Sequence, residues 1–134
     1  GMIELLEVLA KREEAVLALL TGNVVRGAEI KLTHYGVWHH FEFGAFADDH
    51  HERNELGKFA RARALDRHGI EFAPEKIYVI GDTPRDIECG RAIGAKTVAI
   101  ATGHYSLEEL AEHTPDFLFR DFSETERVVE CLLG

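Results

Sequence analysis

Two short segments join oxygen donors to turn-forming residues: Thr21-Gly22-Asn23 and Gly81-Asp82-Thr83-Pro84-Arg85-Asp86. In the second, the Asp82 carboxylate is followed by Asp86 four residues on. Hard oxygens of this kind suit Mg²⁺, which takes one or two carboxylates and shares its other positions with water and substrate phosphate. In the first, the Thr21 hydroxyl and its neighbouring backbone N–H groups can donate to an anion oxygen. Each segment also has a structural alternative. Asp82 can cap a helix whose positive end Asp86 favours, and Thr21 can simply turn the chain.

A third cluster is rich in imidazole. His34, His39, His40, His50 and His51 fall within 18 residues, together with Asp48 and Asp49. Transition metals favour such ligands, but neighbouring side chains on one loop cannot all face one ion. These histidines therefore read as loop residues near the rim of a site. Trp38 and Phe41 read as core or interface residues.

The elements that must position these groups follow from apolar spacing. Ile3, Leu5, Leu6, Leu9 and Ala10 are spaced for one face of a helix. Ala15 to Leu20 is a continuous apolar run, which reads as a strand buried on both faces. A helix is expected over Val24 to Tyr35, stopping at Gly36, and a short strand at Phe41-Glu42-Phe43. Asp48 to His51 is a polar loop before a helix from Arg53 to His68, stopped by Gly69. Ile77 to Ile80 is a second buried strand, and Pro84 suits the first position of the helix after it. That helix should stop at Gly94, with a third buried strand over Lys96 to Ala101. Ser106-Leu107-Glu108-Glu109 is a capping box, followed by a short strand from Asp116 and a terminal helix from Ser123. Strands alternating with helices predict right-handed βαβ units and a parallel sheet. In such sheets ligands bind beyond the carboxyl ends of the strands, where both oxygen-rich turns fall.

Composition narrows the partners. With 24 acidic and 15 basic residues, the formal charge is −9. That field repels nucleic acid and anionic membranes, so neither is an expected partner. A phosphate ligand would need a mediating cation. Cys89 and Cys131 lack ligand-like spacing, and a reducing cytoplasm is the expected compartment. The apolar run at Ala15 to Leu20 is far too short to span a bilayer. It follows charged residues without a signal peptide's cleavage site, and Gly1-Met2 resembles a tag-cleavage scar.

These residues carry a family resemblance. Leu19-Leu20-Thr21-Gly22-Asn23 resembles motif II of the haloacid dehalogenase-like (HAD-like) hydrolases, an apolar strand ending in Thr or Ser. Tyr78 through Asp86, followed by Gly90, Ala92 and Gly94, resembles motif IV, and Lys96 to Gly103 resembles the next strand. The phosphoglycolate phosphatase-like branch is the nearest match. The resemblance implies that Asp82 ligates Mg²⁺ and Asp86 supports the site. Thr21, Gly22 and Asn23 would bind the phosphoryl group, with Asn23 shaping the turn. The family's motif III lysine has no direct counterpart; Arg53 is the candidate in its place and Lys31 a weaker one.

Motif I, an Asp-x-Asp pair carrying the nucleophile, is missing, and so is the usual cap domain. The resemblance therefore implies a three-layer, Rossmann-like parallel sheet that lacks its first central strand. Residues 1–134 are expected to form a single core domain truncated at its N-terminus. The expected function is part of a Mg²⁺-dependent phosphatase for small phosphorylated metabolites, inactive alone for want of the nucleophile. Removal of a central strand should also expose two strand edges, inviting altered strand order, strand exchange or a homo-oligomer. The alternative is a non-enzymatic phosphate- or metal-binding module of the same fold, acting through oligomerisation. A nucleotide-binding reading is weaker, because no Gly-x-Gly-x-x-Gly follows the first strand.

Overall fold

The computed structural model describes residues 2–13 and 15–133, with Arg53 described by its backbone alone. The elements are α1 (Met2–Ala10), β1 (Ala18–Leu20), α2 (Val25–His34), β2 (Phe43–Ala45), α3 (Leu56–His68), β3 (Tyr78–Gly81), α4 (Pro84–Ala92), β4 (Lys96–Ile100), α5 (Leu107–Ala111), β5 (Phe117–Phe119) and α6 (Thr125–Leu133). Short 3-10 turns lie at Trp38–His40, Arg53–Glu55 and Pro74–Lys76. Gly36 and Gly69 follow α2 and α3 with φ of 72° and 67°, left-handed values that stop a helix at little cost for glycine.

All strand pairs are parallel, as helical crossovers between strands require. They form two sheets, β1-β2 and β3-β4-β5. Helices join the two sheets into three layers. On one face Leu5 and Leu9 of α1 meet Val128 and Val129 of α6, together with Phe122 and Ile100. Leu17, just before β1, and Ile80 of β3 pack against the same cluster, so it draws on both sheets. Ala99 is adjacent to Ile100 and points the opposite way, against Ile87 of α4 and Leu110 of α5. On that second face α3 packs on β1 and β2, α4 packs on β3 and β4, and the two helices touch. Their contact is close: a Cβ on Gly57 would lie 2.8 Å from Ile93 Cγ2.

Between the sheets the backbone is open. Leu17 O accepts from Glu42 N and Thr21 N donates to Ala45 O, so Leu17, Leu19 and Thr21 face β2. Ala18 and Leu20 must therefore face away from it. Lys96 N donates to Ile77 O, so by the same alternation Tyr78 and Ile80 face away from β4. Among the described residues no backbone hydrogen bond joins β1 to β3.

This corrects one expectation. Both apolar strands read as buried on both faces, yet Ala18 is exposed, while Leu19, Leu20 and all four residues of β3 are only half-buried. In β4, by contrast, Thr97, Val98, Ala99 and Ile100 are all buried. The difference is positional, since β4 has a strand on each side and β1 and β3 each have one.

Two boundaries also move. The run from Ala15 pairs only over Ala18–Leu20, because Ala15 N still closes a turn onto Arg12 O at 3.2 Å. The strand expected at residues 41–43 lies instead at Phe43–Ala45. Phe41 N is taken up by Trp38 O at 3.2 Å, which holds Phe41 in a 3-10 turn and out of the ladder. Among the described residues no helix is long and apolar enough to cross a membrane.

Candidate active site

At the carboxyl end of β1 the turn is pinned by its own polar atoms. Thr21 Oγ1 accepts from Asn23 N at 3.1 Å, and Asn23 O accepts from Ala47 N at 3.0 Å. Thr21 is half-buried, while Gly22 and Asn23 are exposed. A Cβ on Gly22 would meet nothing within 4 Å, so the surroundings do not require a glycine there. The loop after β2 holds this turn from the other side. Asp48 Oδ1 accepts from Val25 N at 2.7 Å, capping α2, whose N-cap residue Val24 provides no side-chain bond.

At the end of β3 the two aspartates separate in role. Thr83 is the N-cap of α4: its Oγ1 accepts from Asp86 N at 3.4 Å. In return the Asp86 carboxylate accepts from Thr83 N at 3.1 Å and from Thr83 Oγ1 at 3.0 Å. This reciprocal box consumes two otherwise unpaired helix donors. The structural alternative for Asp82, capping this helix, is thus filled by Thr83, whose extended backbone (φ −130°, ψ 158°) leads into Pro84. Asp86 is buried and its carboxylate fills the space beside Gly81, where a Cβ would overlap it.

That arrangement leaves Asp82 available. Its carboxylate is half-buried at the strand tip, and among the described residues it accepts no hydrogen bond. Gly103, in the turn after β4, lies against it, and a Cβ on Gly103 would overlap Asp82 Oδ2. A hard carboxylate lacking internal donors, in a cradle that a methyl group would fill, fits one ligand position of a Mg²⁺ ion. Among the described residues no group of three or more His, Cys, Asp or Glu gathers into a metal site. Asp82 alone would supply only part of such a donor set.

Arg53 opens the 3-10 turn before α3, and its side chain lies outside the described residues. Its neighbour Asn54 ties this segment to α4: Cys89 Sγ donates to Asn54 Oδ1 at 3.3 Å. Lys31 is exposed in the last turn of α2. It lies six helical residues, about 9 Å along the axis, beyond the start of α2 at Val25. Four of the five histidines fall into two pairs, His39–His40 with ring centres 4.1 Å apart and His50–His51 at 4.7 Å, while His34 lies against Tyr35 at 5.3 Å. Trp38 approaches Phe46 at 6.4 Å, and with Leu19, Val25, Phe41 and Phe43 these two rings line a small, largely apolar recess.

Residue-by-residue reading of the sequence did not find Gly103 or the Asp48 cap. Each acts on a partner some twenty residues away, and only the fold brings them together.

A three-layer parallel α/β architecture of this kind defines the Rossmann-like fold class, in which ligands bind beyond the carboxyl ends of the strands, where Thr21 and Asp82 lie. Within that class, residues 54–125 match the HAD-hydrolase-like family model. This is more than half of the 134 residues, and the chain belongs to the HAD-like hydrolase family. It is 26% identical over 130 residues to a phosphoglycolate phosphatase of Haemophilus influenzae, covering 90% of this chain and 52% of the relative. A haloacid dehalogenase-like hydrolase of Streptococcus pneumoniae superposes with a TM-score of 0.77 at 23% identity, over 97% of this chain and 57% of that one. A HAD-hydrolase of Bacillus subtilis, solved bound to magnesium, superposes with a TM-score of 0.74 at 20% identity, over 100% of this chain and 55% of that one. The chain thus spans about half the length of the curated relative it matches.

Proposed function

We propose that residues 1–134 form the phosphate- and cation-handling part of a Mg²⁺-dependent phosphatase acting on small phosphate monoesters, similar to the phosphoglycolate phosphatases. The observation that carries this reading is the open seam between β1 and β3. Both strands are apolar, both are under-buried, and both present unpaired backbone edges. Each also ends in a residue suited to phosphate or cation chemistry, Thr21 or Asp82. A parallel strand inserted there would bury both edges, and its carboxyl end would fall between these two residues.

In this reading the inserted strand carries the nucleophilic carboxylate and comes from outside residues 1–134. Thr21 Oγ1 and the N–H groups of the Gly22-Asn23 turn would donate to the transferring phosphoryl oxygens, and Arg53 would offset their charge. Asp82 would hold Mg²⁺, which supplies charge neutralisation at the phosphate. The phosphoryl group would pass from the ester oxygen to the inserted carboxylate while the leaving alcohol takes a proton from a neighbouring carboxylic acid. Water would then attack the acyl phosphate, releasing inorganic phosphate and restoring the carboxylate. Asp86 would act one step removed, by fixing the start of α4 behind Asp82. A reducing, cytoplasmic setting accords with Cys89 and Cys131, neither of which forms a disulfide.

The test is hydrolysis of p-nitrophenyl phosphate with and without Mg²⁺, by this chain alone and with a strand peptide ending in Asp-x-Asp. No turnover alone, but Mg²⁺-dependent turnover with the peptide that Asp82→Asn abolishes, is the expected result. Turnover by the chain alone, lost in Asp82→Asn, would show that a carboxylate of this chain is the nucleophile. A chain that binds inorganic phosphate yet never turns over, with or without the peptide, would favour the non-enzymatic module.

A further inference from the structure

We propose that Gly103 is a positioning residue for Asp82, setting the direction of its carboxylate by having no side chain; this rests on the reading of Asp82 as a cation ligand. The chain stays in register beyond β4, with Ala101 N donating to Phe119 O at 3.0 Å, and then turns across the carboxyl end of the sheet. There Gly103 comes against the Asp82 carboxylate. A Cβ on Gly103 would overlap Oδ2 and lie 3.1 Å from Cγ and 3.5 Å from the Asp82 Cβ.

The need for glycine here is steric, not conformational. Gly36, Gly69 and Gly94 have positive φ, and Gly103 is not among them. The atoms that a methyl group would strike belong to the end of a rotatable side chain and not to backbone. An alanine would therefore turn the carboxylate aside and leave the fold in place. Aspartate has few rotamers to choose from, and ligand geometry tolerates displacements of only about 0.2 Å. A contact that is cheap for stability is thus costly for ligation.

Amide spectra of the isotope-labelled chain, titrated with MgCl₂, test this at Asp82 and Thr83, alongside thermal unfolding without Mg²⁺. Wild type is expected to show saturable shifts at both amides, and Asp82→Asn none. Gly103→Ala should keep its melting temperature within about 3 °C while its Mg²⁺ response weakens about tenfold or more. Gly27→Ala, at an exposed position of α2 with only Val24 Cγ2 near its new methyl at 3.7 Å, should keep the wild-type Mg²⁺ response and an equal or slightly raised melting temperature, since alanine favours a helix. A wild-type Mg²⁺ response in Gly103→Ala overturns the inference alone. Loss of cooperative unfolding in Gly103→Ala overturns it in favour of a structural role. Absence of any Mg²⁺ response in the wild type overturns the cation reading of Asp82, and this inference with it.

Discussion

The Asp49 carboxylate and the Arg63 guanidinium meet in a two-pronged pair, Oδ1 to Nη2 at 2.5 Å and Oδ2 to Nη1 at 2.7 Å. The pair fastens the loop after β2 to α3. Arg63 Nη1 also donates to Gly44 O at 2.6 Å, and Asp49 Oδ2 accepts from Phe46 N at 2.9 Å. The same loop caps α2 through Asp48 and pins the Thr21 turn through Ala47. A salt bridge remote from the chemistry therefore orders one wall of the candidate site.

Replacing Arg63 should loosen that wall. Arg63→Ala removes the guanidinium donors of the Gly44 carbonyl and the Asp49 carboxylate, leaving Asp49 only the Phe46 N–H, and is expected to cost about 2 kcal/mol. Arg63→Lys keeps the charge but loses the planar fork, and should cost about 1 kcal/mol. For a chain of this size each kcal/mol lowers the melting temperature by about 3–5 °C. Calorimetry of the two variants checks the order; equal melting temperatures for Arg63→Ala and wild type would show the pair to be idle.

The same pair sets a pH dependence. Hydrogen bonds from Arg63 are the main cause that lowers the Asp49 carboxyl from 3.8 to about 2, against partial burial, which raises it. As pH falls, the unfolded chain takes up the proton near 3.8 while the folded chain resists until about 2. The stabilisation is thus complete above about pH 4 and is lost as pH falls through about 2. Because Arg63 is 39% exposed, solvent screening reduces it to about 1–2 kcal/mol. Denaturant unfolding of wild type and Asp49→Asn should differ by that amount at pH 5 and converge by pH 2. A gap that stays constant down to pH 2 would assign the stabilisation to some other contact.

Glycine is needed at one strand tip and dispensable at the other. A Cβ on Gly81 would overlap the buried Asp86 carboxylate, which accepts two hydrogen bonds from Thr83 and cannot swing aside freely. Gly81→Ala should cost about 2–3 kcal/mol through the broken cap and the strain. Gly22→Ala, with open space around it, should change stability by less than about 0.5 kcal/mol. Urea midpoints of the two variants distinguish these cases, and similar midpoints would contradict the packing described at Gly81.

What the sequence made legible was local. The capping box at Ser106 and Glu109 is present as spaced, with Ser106 Oγ accepting from Glu109 N at 3.1 Å, because all its partners lie within four residues. Strand β3 and the Gly-Asp turn after it could be placed for the same reason, by an apolar run closed at a turn. The strand at Phe43–Ala45 was misplaced because alternation at Phe41-Glu42-Phe43 imitates a strand. The true pairing depends on small residues packed close to β1, since a Cβ on Gly44 would come 3.0 Å from the Leu19 Cβ. The division of labour between Asp82 and Asp86 was half-legible. Their spacing showed a helix N-terminus, but which residue caps it depends on the backbone of Thr83. Asp49 with Arg63, and Asp82 with Gly103, are brought together only by the tertiary fold.

The open seam makes the last prediction. Ala18, Leu20, Tyr78 and Ile80 face away from their neighbouring strands, and among the described residues their backbone N–H groups have no partner, although Leu20, Tyr78 and Ile80 are half-buried and such groups are usually paired. Val79, facing β4 in register with Thr97, is the internal control. In this chain alone, the amides of Leu20 and Ile80 should exchange with solvent at least about a hundredfold faster than that of Val79, since only pairing and packing slow exchange. Adding a parallel strand peptide that ends in Asp-x-Asp should bring Leu20 and Ile80 close to the rate of Val79, because one strand can pair with both edges at once. Protection of Leu20 without Ile80 would mean pairing at one edge only, as in strand exchange between copies of the chain. If both amides are already slow in the dilute chain without peptide, β1 and β3 have closed on each other in solution, and the reading of the seam as a strand site fails.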